Sequence, residues 1–147
     1  MTRVNGIYCL KKSEVIRGYN SFRDILADSK LVTNSFLRAY IQVKKDSQEN
    51  EGRKISEDPL TNVKVGFVVS KRIIRKASKR NRLKRLMREA YRQNKNLLYN
   101  YRTGDLKILF GYNESFRESL GNLEIEIVKA NMRMLIQKVL EILKKQN

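Results

Sequence analysis

Residues 63–92 read VKVGFVVSKRIIRKASKRNRLKRLMREAYR, and this stretch decides the fold. Val63 to Ser70 is rich in β-branched residues and runs into a basic segment, which predicts a strand. Gly66 in its middle predicts either a bulge or a close approach of another group to the backbone. From about Ala77 to Asn94 the period changes. Leu83, Leu86, Met87, Ala90 and Tyr91 fall at i, i+3, i+4, i+7 and i+8, a single stripe along a helix. If the stripe packs on the sheet, Arg82, Lys84, Arg85, Arg88 and Arg92 project away from it, with Lys79, Arg80 and Asn81 in the first turns.

Outward from this unit, the chain keeps alternating between the two periods. A helix is expected from about Asn20 to Asp28, capped by Asn20 or Ser21, with Phe22, Ile25 and Leu26 on one side. Residues 35–43 alternate as a strand, Leu37, Ala39, Ile41 and Val43 on one face and Phe36, Arg38, Tyr40 and Gln42 on the other. The second face carries two aromatics and an arginine, the mixture that sequence-tolerant single-strand binding requires; packing of Phe36 and Tyr40 beneath a helix is the competing reading. Residues 44–62 are polar, hold five of the fifteen acidic residues and the only proline, and read as a long flexible loop. A turn at Arg102-Thr103-Gly104-Asp105 leads to a strand at 106–110. A last helix over roughly 123–145 has Val128, Leu135, Val139 and Ile142 near one side. Read from the residues, the order is α-β-β-α-β-α: one α+β domain over 13–147, preceded by an arm at 1–12 in which Ile7, Tyr8 and Leu10 are possible anchors.

Composition narrows the function. The 147 residues carry 32 Lys+Arg against 15 Asp+Glu, a formal charge of +17, with 41% hydrophobic residues to build a core. A single cysteine, Cys9, excludes an intramolecular disulfide, and the absence of histidine removes the commonest general base and metal ligand. No apolar run is long enough for a membrane span, so a cytoplasmic protein with a polyanionic partner is expected. Residues 71–92 concentrate a net +10, and arginine outnumbers lysine there seven to four, which suits phosphate forks. A merely solvated basic face would intersperse both signs. A membrane-surface helix would need the apolar stripe that the core requires. A protein nuclease would need paired carboxylates or a base, yet the only acid in the basic helix is Glu89, which can pair with Arg85 or Arg92. A structural RNA-binding protein of ribosomal type fits the composition, and sequence-specific DNA binding is a weaker reading because Asn81 and Gln93 are the few base-reading candidates.

The segment from Val65-Gly66-Phe67-Val68-Val69-Ser70-Lys71 through Arg80-Asn81-Arg82-Leu83-Lys84-Arg85 to Arg88-Glu89-Ala90-Tyr91-Arg92 closely resembles the bacterial ribonuclease P protein subunit family. The resemblance implies an α-β-β-β-α-β-α sandwich with a small central sheet, a short first strand and a left-handed β-α-β crossover, against the general right-handed rule. It implies binding to a large catalytic RNA that cleaves the 5′ leader from precursor tRNA with magnesium ions of its own, so that no catalytic residue, cofactor, membrane or obligate protein partner is expected of this chain. By the same resemblance Arg75, Lys76, Lys79, Arg80, Asn81, Arg82, Lys84, Arg85 and Arg88 would meet the catalytic RNA. Phe22, Leu26, Tyr40, Ser70 and Lys71 would line a cleft for the leader. Two departures stand out: Leu26 replaces what is often an aromatic, and the Ala-Arg that commonly ends the family's last strand is here Phe110-Gly111-Tyr112.

Overall fold

The alternation along residues 37–44 does form a strand, and it lies inside a four-stranded sheet. The computed structural model describes residues 14–16, 18–44, 63–98, 105–113 and 123–145. In chain order these form α1 (Tyr19–Ala27), β1 (Lys30–Thr33), β2 (Leu37–Lys44), β3 (Val63–Phe67), α2 (Ala77–Asn94), a 3-10 turn (Lys95–Leu98), β4 (Asp105–Tyr112) and α3 (Ile125–Lys145). The short β1, absent from the order read off the residues, matches the short first strand that the resemblance implied. The arm at 1–12 with Cys9, nearly all of the polar loop, and the 102–104 part of the turn lie outside the described residues.

The strand order is β1-β2-β4-β3. β1 with β2 and β2 with β4 run antiparallel, whereas β3 and β4 are parallel neighbours joined by a connection that contains α2. The β1–β2 turn is organised by Asn34, whose Oδ1 accepts hydrogen bonds from the Leu37 and Phe36 N–H groups at 2.9 and 3.2 Å. Its amide donates to the Asn131 carbonyl of α3 at 2.7 Å. The free edge of β3 is covered by the segment before α1: Val15 bridges to Val65 in parallel, and the Ile16 N–H donates to the Val65 carbonyl at 2.7 Å.

One sheet face carries the main core. Leu37, Ala39, Ile41, Val65, Phe67, Leu106, Ile108, Phe110 and Tyr112 are buried there with Leu83, Met87, Ala90 and Tyr91 of α2 and with Val128, Met132, Leu135, Ile136, Val139 and Leu143 of α3. The stripe expected on α2 is therefore its packing face, Leu86 being half-buried at its border. Phe67, Tyr91 and Phe110 cluster with ring centroids 5.6–6.1 Å apart and pin α2 to β3 and β4. The Tyr112 hydroxyl is buried and donates to the Leu83 carbonyl at 2.9 Å; burial pushes its pKa well above the ordinary phenol value. Phe36 precedes β2 and packs at the margin of this core, a correction to the alternation that set it on the opposite face with Arg38 and Tyr40.

The other face carries a smaller core of Ile16, Ile25 and Leu109, with Phe22, Tyr40 and Val68 half-buried around it beneath α1. The Glu14 carboxylate and Lys95 ammonium form a buried ion pair at 3.1 Å, tying the segment before α1 to the end of α2.

Several local expectations are corrected. α1 begins one residue earlier, behind Gly18, which takes φ 95° and leaves Asn20 and Ser21 inside the helix with no side-chain cap. Val43 lies at the strand end and is exposed, out of the core its alternation assigned it to. The third strand pairs as a ladder only to Phe67, although Val69 stays buried. Leu123 and Glu124 precede α3 instead of opening it.

Candidate nucleic-acid interface

The outer side of α2 is built by the same periodicity that buries its stripe. Ser78, Asn81, Lys84, Arg85 and Arg88 line a shallow depression of about 420 Å³ on that side. The N-cap residue of the helix, Lys76, provides no side-chain cap and the first turn holds no acidic residue, so the positive end of the dipole and its open N–H groups add to the side-chain charge. Arg75, Lys76 and Lys79 are exposed beside it. Ile73 and Ile74 are half-buried against the main core and seat the basic connection, and the Ile73 and Ile74 N–H groups donate to the Ser70 carbonyl at 3.2 and 3.1 Å.

The cations of this helix divide into two kinds. Arg80 reaches back to the carbonyls of Ile74, at 3.1 Å, and of Arg75. Arg82 Nη2 donates to the Leu123 carbonyl at 2.9 Å. Both therefore brace the structure, a role missed both by the outward assignment of Arg82 and by the placing of Arg80 in the first turns; nothing in the helical period marks it, because their acceptors lie on other segments. Arg92 is turned back as well. It forms a forked pair with Glu89, whose Oε1 also accepts from Gln93 at 2.8 Å. The Arg92 guanidinium holds the Glu89 carboxyl below the ordinary carboxylate range, against a smaller opposing effect of burial. Glu89 is thus committed to Arg92, and Gln93 to Glu89. Asn81, Lys84, Arg85 and Arg88 line the open face, and Arg82 stays exposed while it donates to Leu123.

The second candidate surface is the sheet face beside α1. Cross-strand register arranges it in rows. Leu31, Tyr40, Leu109 and Gly66 form an apolar row across β1, β2, β4 and β3. Two residues to one side, ~7 Å along the strands, lie Gln42, Lys107 and Lys64. Two residues to the other lie Thr33, Arg38 and Gly111. The ring of Phe22 reaches Gly66: a Cβ built there would stand 3.0 Å from Phe22 Cε1 and 2.9 Å from Leu109 Cδ1. Gly66 is a close-approach glycine, the second of the two expectations, and it sets the depth at which Phe22 lies.

Phe22 and Tyr40 are thereby brought together around one small core, each half-exposed. Leu26 is 51% exposed on the same helix, and Leu31, which sequence reading missed, is 49% exposed directly opposite Tyr40. A four-residue strand with one buried position gave no alternation long enough to find it. Ser70 and Lys71 are exposed beyond Val68 at the far end of β3, and Ser70 Oγ also accepts from the Ile73 N–H at 3.4 Å, so this serine shapes the turn. Among the described residues no group of three His, Cys, Asp or Glu side chains could hold a metal ion, and no described helix is long and apolar enough to cross a membrane.

A single mixed sheet with β3 and β4 parallel, two helices on one face and a short helix on the other defines the class to which this chain belongs. Solved structures share it. The Staphylococcus aureus RNase P protein superposes with a TM-score of 0.59 at 16% identity, covering 87% of this chain and 96% of that one. The Thermotoga maritima RNase P protein gives 0.59 at 21% identity, covering 84% and 96%. The ribonuclease P family model matches residues 10–140, and the chain belongs to that family. Curated relatives agree: the ribonuclease P protein component of Nitrosomonas eutropha is 34% identical over 92 residues, and that of Chlorobaculum tepidum 33% over 89. These matches span 66% and 53% of the relatives' own lengths.

Proposed function

We propose that this chain is the protein subunit of a ribonuclease P holoenzyme and that it works through two surfaces. The outer face of α2, centred on Asn81, Lys84, Arg85 and Arg88, with Arg75, Lys76 and Lys79 beside it and with Arg80 and Arg82 both bracing it and adding their charge, binds the catalytic RNA. The sheet face beside α1, with Phe22, Tyr40, Leu26 and the neighbouring Ser70 and Lys71, binds the single-stranded 5′ leader of precursor tRNA. Cleavage of the leader and the magnesium ions that support it belong to the RNA. The observation that carries this reading is the separation of two chemistries by one sheet. α2, with its dense cations, packs on one face, and the half-exposed aromatics stand on the other.

Physically, the first surface neutralises phosphates with arginine and lysine, which gives affinity and salt dependence without reading sequence. The second offers π-faces to unpaired bases, each worth ~1–3 kcal/mol and indifferent to base identity. Family membership favours the catalytic RNA over a ribosomal one. The test is reconstitution of the purified chain with the catalytic RNA. Cleavage of precursor tRNA at lower magnesium and salt than the RNA alone requires is expected. Cleavage by the protein without RNA, or no effect on the RNA's requirements, would contradict the reading.

A further inference from the structure

Arg38 stands in the row next to Tyr40, with its guanidinium poorly matched to its surroundings. Nη1 donates to the Tyr40 hydroxyl at 3.3 Å and Nη2 to Asn113 Oδ1 at 3.4 Å, both long bonds to neutral oxygens. Its Nε is shut off from solvent and has no hydrogen-bond partner. Among the described residues no carboxylate pairs with it. Bonds between a guanidinium and an anion run ~2.7–2.9 Å, so a half-buried cation in this state lacks the partner that would offset its desolvation.

The residue opposite explains how the stem fits. Register sets Arg38 against Gly111, and a Cβ at Gly111 would stand 3.6 Å from Arg38 Cγ and 3.4 Å from the Val68 carbonyl oxygen. The glycine leaves a bare stretch of β4 over which the arginine stem lies. A cation is thus held one row from the apolar line of Leu31, Tyr40 and Leu109.

We infer that Arg38 is a phosphate ligand of the sheet-face cleft: it takes one phosphodiester of a single-stranded RNA whose neighbouring base stacks on Tyr40. The inference rests on the leader-cleft reading above and adds to it a fixed anion site. Stacking alone lets a strand slide, whereas a guanidinium one row away sets where the backbone passes. The bond between Arg38 and the Tyr40 hydroxyl couples the two, so that the ring is oriented by the side chain that binds the adjoining phosphate.

The experiment uses the reconstituted holoenzyme with Arg38→Gln, Arg38→Lys and Tyr40→Ala, each checked by circular dichroism. The ligands are precursor tRNA, mature tRNA, and precursor tRNAs carrying a neutral methylphosphonate at one leader linkage at a time. Arg38→Gln should weaken precursor binding about ten-fold, leave mature tRNA unchanged, and make the salt dependence shallower by roughly 0.7. One methylphosphonate position should cost the wild type a similar factor and cost Arg38→Gln nothing further. Arg38→Lys, which keeps charge and loses the fork, should recover only part of the affinity. Equal losses for both tRNAs, or methylphosphonate losses identical in wild type and Arg38→Gln at every linkage, would make Arg38 a brace for Tyr40 and overturn the inference. If Tyr40→Ala also lacks any leader-specific effect, the cleft reading itself fails; if Tyr40→Ala retains one, only the assignment of Arg38 does.

Discussion

Arg82 of α2 donates a 2.9 Å hydrogen bond to the carbonyl of Leu123, so a motif arginine holds the residue that leads into α3. Arg80 holds the basic connection ahead of its own helix through the carbonyls of Ile74 and Arg75. The two arginines of the Arg-Asn-Arg motif thus position cations as much as they supply them.

Stability and binding should separate along this division. Arg80→Ala and Arg82→Ala are expected to lower unfolding stability by about 1 kcal/mol each, the scale of a hydrogen bond from a charged donor in a partly exposed setting. Arg85→Ala and Arg88→Ala should change it by no more than ~0.5 kcal/mol. They should instead make the salt dependence of RNA binding shallower by roughly 0.7–0.9 for each phosphate left without its cation. Urea unfolding and a salt series of binding constants measure the two quantities. Equal effects of all four substitutions on stability would remove the distinction.

Gly66→Ala should destabilise the chain by ~1–3 kcal/mol, the usual range for overpacking. Its Cβ would meet Phe22 and Leu109 at 3.0 and 2.9 Å, and either ring or branch must move. Unfolding curves give the first effect. Loss of leader affinity beyond that of mature tRNA would show that the depth of Phe22 also matters for binding.

The buried Glu14–Lys95 pair offers a third test. Removing one partner strands the other in a buried site, and Lys95→Met alone should cost ~3–5 kcal/mol. The double change Glu14→Leu with Lys95→Met should recover most of that loss, because an apolar pair needs no compensation. Additive losses in the double variant would show that the two side chains are not coupled and would contradict this account of the pair.

A pH dependence follows from Glu89. Its folded pKa is depressed by Arg92, so its contribution is present above the unfolded carboxylate value and is lost as pH falls through the folded one. The pair is substantially exposed, 37% and 42%, and solvent screening keeps it within ~0.5 kcal/mol. Glu89→Gln should therefore be slightly less stable than wild type at neutral pH and equal to it in strong acid. Comparison of unfolding midpoints across that range checks the sign.

Much of this architecture could be read from periodicity. The α2 stripe and the alternation of Leu37, Arg38, Ala39, Tyr40 and Ile41 each rest on one element, and sequence displays one element at a time; the choice between the two readings of Gly66 depended on Phe22 and Leu109, which lie on other elements. The parts that were not legible join elements distant in the chain. Arg82 bonds Leu123, Arg38 lies over Gly111, Glu14 pairs with Lys95, and Leu31 faces Tyr40. Each depends on a register or a chain crossing that local patterns do not encode. Asn20 and Ser21 failed as caps because Gly18, with its positive φ, turned the chain into α1 before either was reached.

The two-surface reading is tested most directly by measuring precursor and mature tRNA binding to holoenzymes carrying Tyr40→Ala or Phe22→Ala, each confirmed to be folded. The expected result is a loss of up to ~1–3 kcal/mol per stacked base for precursor tRNA. Mature tRNA, which has no leader, and docking on the catalytic RNA through α2 should be unaffected. Equal losses for the two tRNAs would return Phe22 and Tyr40 to the small core beneath α1 and contradict a leader site on this face.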